Sequence, residues 1–170
     1  CSSHVLKELR MKAEKTPEES VAEQVQVLTQ STMNGANRLF GGRLMEWIDI
    51  VAAVVARRHS EHNVTTVLVE TLEFLAPAVA NSTIVLKGRI VYVGRTSMVV
   101  RVTSYVEELN GTRTLINSAY LTMVALGDDG RPCPVPKLTV LSAEDKAEWD
   151  KAETRRNIRE AERKKERGGK

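Results

Sequence analysis

Gly41-Gly42-Arg43-Leu44-Met45-Glu46-Trp47-Ile48-Asp49-Ile50-Val51-Ala52-Ala53-Val54-Val55-Ala56 is the stretch on which the reading of this chain turns. From Ile50 to Ala56 it has no polar side chain, which is too apolar for a helix lying on a water-facing surface. It is also too short, and too closely flanked by charge, to cross a bilayer. A core helix from about Gly42 to His59 is therefore expected, with Arg57, Arg58 and His59 at the negative end of its dipole. Asp49 is the anomaly within it. A buried carboxylate without compensation costs several kcal/mol or becomes neutral, so something must answer its charge.

Residues three and four apart share a helix face, and the row through Asp49 reads Gly42, Met45, Glu46, Ala52, Ala53 and Ala56. This stripe of small residues lets another backbone or a slim ligand come close. An Asp held by backbone N–H groups or an arginine fits the pattern as well as a reactive carboxylate does. Gly41-Gly42 at the helix start offers free N–H groups to an anion or a developing oxyanion, and it equally makes a tight turn. Asn34, in the preceding loop, has the chemistry to orient a water or a carbonyl, although Asn in a loop is commonly a turn residue.

Working outward, Val21 to Leu28 reads as a strand before the helix. Beyond Asn63 the period becomes two, and strands are expected over 64–74, 82–93, 96–107 and 113–126. Gly94 and the Asn110-Gly111 hairpin pair join them by short turns, which makes at least part of the sheet antiparallel. The fold class is α+β, an antiparallel β-sheet wrapped around a long central helix. The chain divides into a lead-in over 1–19 that is open to disorder, a domain over 20–138, and a charged helical tail over 139–170. That tail, from Ser142 to Arg167, reads as mostly solvated, with Ser142 and Asp145 as a weak capping box and Glu160–Lys164 as an i,i+4 pair.

Composition excludes several classes of function. A formal charge of +3 with 4% aromatic residues offers neither a nucleic-acid footprint nor a stacking platform. No metal is expected, because Cys1 and Cys133 lie far apart and His59 and His62 have no ligand set beside them. These two histidines read as helix C-cap residues. Cys133, between two prolines, has no evident activating group. No GxSxG elbow, phosphate loop or dinucleotide fingerprint is present. Cys1-Ser2-Ser3-His4 leads into charge and not into an apolar signal core, so a cytoplasmic location without membrane insertion is the expectation.

The linked segments Asn34 to Asp49, Val64-Thr65-Thr66-Val67, Phe74-Leu75-Ala76-Pro77, Val93 to Met98, Leu121 to Leu126 and Val135-Pro136 resemble the hotdog-fold acyl-CoA thioesterases of the acyl-CoA hydrolase branch. The resemblance spans about 20–138 and departs at Asn37, where many relatives carry Gly. It implies a hotdog fold, an acyl-CoA substrate and a homo-oligomer, either a dimer with a continuous sheet or a trimer of dimers. It gives Asp49 the role of general base or nucleophile, Asn34 of the partner subunit the positioning of water or carbonyl, and Gly42 N–H the polarisation of the thioester. Gly94, Arg95, Thr96 and Ser97 would lie along the CoA arm, although the same residues also fit a plain β-turn with an exposed arginine. No cofactor is implied, since CoA is part of the substrate. A non-catalytic acyl-CoA-binding or scaffold hotdog is the other class of function, and a polar residue in the core helix argues against it. A hotdog hydratase would need a close Asp–His pair, and His59 is too far from Asp49 along one helix.

Overall fold

The computed structural model describes residues 12–36, 38, 39 and 41–169. Asn37, and Phe40 of the Phe-Gly-Gly turn, lie outside them. The elements in order are β1 (Glu14–Lys15), a 3₁₀ turn (Pro17–Ser20), β2 (Ala22–Val27), a second 3₁₀ turn (Gln30–Thr32), α1 (Gly41–Ser60), β3 (Asn63–Phe74), β4 (Thr83–Val93), β5 (Ser97–Glu107), β6 (Arg113–Leu126), β7 (Lys137–Leu138) and α2 (Ala143–Gly168). β2 to β6 form a five-stranded sheet in the order β2-β4-β5-β6-β3, and every neighbouring pair is antiparallel. β3 is thus an edge strand, although it follows α1 directly.

α1 lies in this sheet as expected, burying Leu44, Trp47, Ile48, Val51 and Val55 against Ile84, Leu86, Ile90, Met98, Val100 and Leu121. Each large side chain so buried contributes about 1.5–3 kcal/mol. Along β6, Ala119, Leu121, Met123 and Ala125 point to α1, while Ser118, Tyr120, Thr122 and Val124 point outward. The helix is not enclosed all round: Gly42, Arg43, Glu46 and Ile50 stay exposed along one side, with Ile50 at 48%. β2 is also one-sided, because its valines Val25 and Val27 are the exposed set and Ala22 is its buried residue.

Helix and sheet pack closely at Gly88 of β4. A methyl group there would sit 2.7 Å from Val51 Cγ1 and 2.8 Å from Val55 Cγ2. Gly88→Ala should therefore destabilise by about 1–3 kcal/mol through overpacking. Urea unfolding should show a lower midpoint with an unchanged slope; an unchanged midpoint would mean that the crossing is not tight.

The C-terminal end of α1 departs from the sequence reading. His59 is no exposed cap but wholly buried, with Nε2 2.7 Å from the Pro136 carbonyl. A carbonyl only accepts, so Nε2 carries the proton and donates it. Burial, the largest influence, pushes this imidazole below its ordinary pKa and keeps it neutral in the folded chain. The helix-end carbonyl of Arg58 is satisfied instead by Lys15 Nζ at 2.9 Å. Part of the lead-in is therefore built into the fold: β1 pairs in parallel with β7, and Lys15 and Ser20 are buried. Because the unfolded chain binds the His59 proton more readily, stability should be full above the ordinary histidine value, near 6.5, and fall as pH drops below it. Thermal melts from pH 7.5 down to 5 should show a decline that is flatter in His59→Gln.

α2 docks on the outer face of the sheet, so the charged segment is only partly solvated. Trp149 packs on Tyr92 with ring centroids 4.4 Å apart, and Ala152 is buried beside Val91 and Val99. Ion pairs hold the rest. Arg89 grips Asp145 with two bonds of 3.0 and 2.8 Å, and this holds the Asp145 carboxyl below its ordinary range. Ser142 Oγ does accept from Asp145 N–H, at 3.0 Å, but the Asp145 side chain is committed to Arg89 and does not return the cap. Glu160 pairs with Arg156 at 3.1 Å, not with Lys164.

Candidate active site

Asp49 sits at the margin of the buried face of α1 and is half-buried, not dry as the apolar run suggests. Its Oδ1 accepts a hydrogen bond of 2.6 Å from Thr66 Oγ1 on β3. Thr66 Oγ1 also lies 3.3 Å from Met123 Sδ; with one proton to give, it serves the charged oxygen. Among the described residues neither an arginine nor a backbone N–H meets Asp49, and Oδ2 has no partner. One oxygen is fixed and the other is available beside the small side chains of Ala52 and Ala53.

Thr66 is the residue whose part the sequence reading missed. Pairing with Met123 on β6 turns it toward α1, and a β-bulge at Val67 then sends Leu68 to the outer face opposite Thr122. Alternation counted along the strand fails at this point. The only signal available was a Thr-Thr pair in a segment shared with the resembling family.

Asn34 and Gly42 do not meet Asp49 within one chain. Asn34 is exposed, and its Oδ1 accepts from Ala36 N–H (3.0 Å) and Arg38 N–H (3.2 Å), an Asx-type loop bond. With Arg38, Leu39, Leu44, Phe74, Leu75 and their neighbours it lines a groove of about 330 Å³ that Asp49 does not reach. Gly42 is exposed in the first turn of α1, where N–H groups have no partner four residues back. It lies seven residues from Asp49, about 10 Å along the axis.

Gly94, Arg95, Thr96 and Ser97 form the turn between β4 and β5, closed by Gly94 N–H to the Ser97 carbonyl at 2.8 Å. Arg95 is exposed and has no ion pair among the described residues. Register puts this turn close to the level of Asp49: Met98, Met123 and Thr66 lie in one row across β5, β6 and β3. Ser97 itself points to the outer face. Met98 and Met123 are buried in the core.

Other chemistries find little support. Among the described residues no group of three His, Cys, Asp or Glu side chains could hold a metal. Burial, with Asp129 and Asp128 nearby, pushes the Cys133 thiol above its ordinary pKa and away from nucleophilic use. No helix among the described residues is long and apolar enough to cross a membrane.

A long helix held against a curled antiparallel sheet is the hotdog architecture, and comparisons with known proteins supply the family. Residues 36–111 match the Thioesterase superfamily. The uncharacterized acyl-CoA thioester hydrolase YkhA of Bacillus subtilis is 35% identical over 129 residues, covering 72% of this chain and 75% of that protein. An apo-hexameric acyl-CoA thioesterase superposes with a TM-score of 0.83 at 31% identity, covering 88% of this chain and 96% of that one. The acyl-CoA hydrolase of Staphylococcus aureus, solved with butyryl coenzyme A and coenzyme A, gives 0.84 at 29% identity, covering 91% and 95%. That enzyme was also solved with one Asp, one Thr and one Asn each replaced by alanine. The sequence spacing of those three positions is the spacing of Asn34, Asp49 and Thr66 here. The chain belongs to the acyl-CoA thioester hydrolase family of hotdog enzymes and is a thioester hydrolase.

Thr66→Val removes the hydroxyl and keeps the shape. The expected result is unchanged folding with thioester turnover about tenfold lower or worse, from loss of a hydrogen bond to a charged group. Thr66→Ser should retain most activity. Equal rates in Thr66→Val and the parent chain would leave the 2.6 Å bond without a part in turnover.

Proposed function

We propose that the chain hydrolyses fatty acyl-CoA to free fatty acid and CoA, with Asp49 as general base or nucleophile. The observation that carries this reading is the pairing of Asp49 with Thr66 alone, which orients one oxygen and leaves the other open. As base, Asp49 Oδ2 takes a proton from water while the water oxygen adds to the thioester carbonyl carbon. The tetrahedral oxyanion then collapses, the C–S bond breaks, and the proton passes to the departing CoA sulfur. As nucleophile, Oδ2 itself displaces the thiolate, and water then cleaves the resulting anhydride.

The oxyanion needs donors within hydrogen-bond reach, and Gly42 of the same helix is about 10 Å away along the axis. We therefore assign the polarising Gly42 N–H and the positioning Asn34 to a partner subunit. Asn34 Oδ1 is used by its own loop, which leaves the side-chain NH₂ as the group to hold water or carbonyl. Exposed apolar residues support such a partner: Ile50 at 48% on α1, with Val67 at 55%, Val69 at 37%, Leu72 at 38% and Phe74 at 55% on edge strand β3. A long apolar edge strand invites pairing, and a second copy along β3 would cover it and continue the sheet. The hexameric relative is consistent with dimers grouped in threes. The apolar groove beside Asn34, walled by Leu39, Leu44, Phe74 and Leu75, suits an acyl chain. The Gly94–Ser97 turn is the proposed contact for the CoA arm. A reducing, cytoplasmic setting suits the free thiol of Cys133.

Asp49→Asn and Asn34→Ala should each fold and assemble while losing about a hundredfold or more in turnover of an acyl-CoA chain-length panel, read as release of free CoA thiol. Co-expression of the two variants should restore part of the activity, because a mixed dimer holds one intact composite site. Recovery absent from confirmed mixed dimers would place both residues in one subunit's site. Full activity of Asp49→Asn would remove it from the chemistry, and acyl-CoA binding without turnover by the parent chain would favour a binding module.

A further inference from the structure

The groove beside Asn34 is bounded at one end by the Ala76-Pro77 segment, and a second groove of about 390 Å³ begins on the other side of it. Ala76, Pro77 and Ile116 line both spaces. The segment between them is held at each end. Leu75 N–H donates to the Ile116 carbonyl at 2.8 Å, and Leu39 N–H donates to the Ala78 carbonyl at 2.9 Å.

Ile116 owes its position to an irregularity in the sheet. Ser104 pairs with Asn117 and Tyr105 with Leu115, so Ile116 is the extra residue of a β-bulge between β5 and β6. It joins the core at 2% exposure, at the boundary of the two grooves. Its neighbour Asn117 and the facing Ser104 are wholly buried, and Asn117 Oδ1 and Ser104 Oγ have no hydrogen-bond partner. A hydrocarbon chain gains nothing against such atoms, so its favourable route from the first groove runs past Ile116 and not deeper into the sheet. The second groove has apolar walls in Val79, Ala80, Val106 and Leu109. Glu107 and Glu108 also line it, and no Lys or Arg does among the described residues. Those carboxylates repel phosphates and other anions, which leaves a neutral hydrocarbon as the fitting occupant.

We propose that the second groove takes the distal carbons of a long acyl chain, and that Ile116 is the residue that sets chain length. Short acyl groups end in the first groove, and longer ones cross between Ile116 and Pro77 into the second. Each methylene buried past Ile116 adds to binding, so affinity rises with length until the second groove is filled. This inference rests on the placement of the acyl chain beside Asn34 in the proposed function.

Calorimetric titration of the assembled full chain with S-butyl-CoA and S-dodecyl-CoA, thioethers that cannot be hydrolysed, reads the grooves without turnover. The parent chain should bind the dodecyl compound about a hundredfold or more tighter than the butyl compound. Ile116→Phe narrows the passage and Ala80→Phe fills the second groove, and each should cut that ratio about tenfold or more. A merely structural disturbance would weaken both compounds together and leave the ratio as it was. Ala80 lies in a turn outside the core, so its variant still gives the answer if Ile116→Phe overpacks and fails to fold. Equal affinity of the parent for the two compounds, or a ratio unchanged in Ala80→Phe, would overturn the proposal. Because binding is read apart from hydrolysis, a parent chain that binds both thioethers but turns over no acyl-CoA would refute the hydrolytic reading alone.

Discussion

The close crossing of α1 over β4 at Gly88 fixes the rotation of the helix, and the rest of the structure follows from that rotation. Val51 and Val55 occupy the space a side chain would need at Gly88. With those two residues against the sheet, Leu44 and Ile48 must point into the core as well. Asp49 then falls just past the buried arc, near enough to β3 to meet Thr66 and open enough to keep one oxygen available. A rotation of one residue would bury the carboxylate or expose it fully. The glycine therefore sets, through packing, where the Asp49 carboxylate stands.

The same rotation leaves the molecule one-sided. Glu46 and Ile50 on α1 stay exposed beside an edge strand that carries Val67, Val69, Leu72 and Phe74. A single chain thus presents a carboxylate without an oxyanion donor and an apolar edge without a cover. The proposed pairing with a second copy along β3 would meet both deficits at once.

Ionic contacts govern the outer face. α2 has few apolar residues to bury, yet it lies firmly along β4 because Trp149 and Ala152 are supplemented by Arg89–Asp145, Arg101–Glu148 and the arginines on Glu70. Exposed ion pairs add little to stability, but the bidentate Arg89 pair is partly shielded and gives direction. The bulge at Val67, which follows the inward-facing Thr66, lies near another at Glu70, which is met by α2 on the outer side. One irregular strand thereby serves both faces.

Periodicity made the helix and its strands legible, because a densely apolar run after Asp49 and the change to period two at Asn63 are local properties. The turns at Gly94 and Asn110-Gly111 were equally local, being chemical requirements of single positions. Linked motifs from Asn34 to Asp49 fixed the family, since their order survives without any knowledge of contacts. Tertiary structure decided the remainder. His59 was misread as exposed because its burial depends on Pro136, which lies far along the chain. Thr66 escaped because its part depends on a bond to Asp49 that forms only when α1 packs against β3. The tail read as solvated because its anchors, Arg89 and Glu70, belong to strands remote in sequence. What the sequence determined was each element and its polarity, which depend on neighbours along the chain; which face meets which partner was decided only when distant segments were packed together.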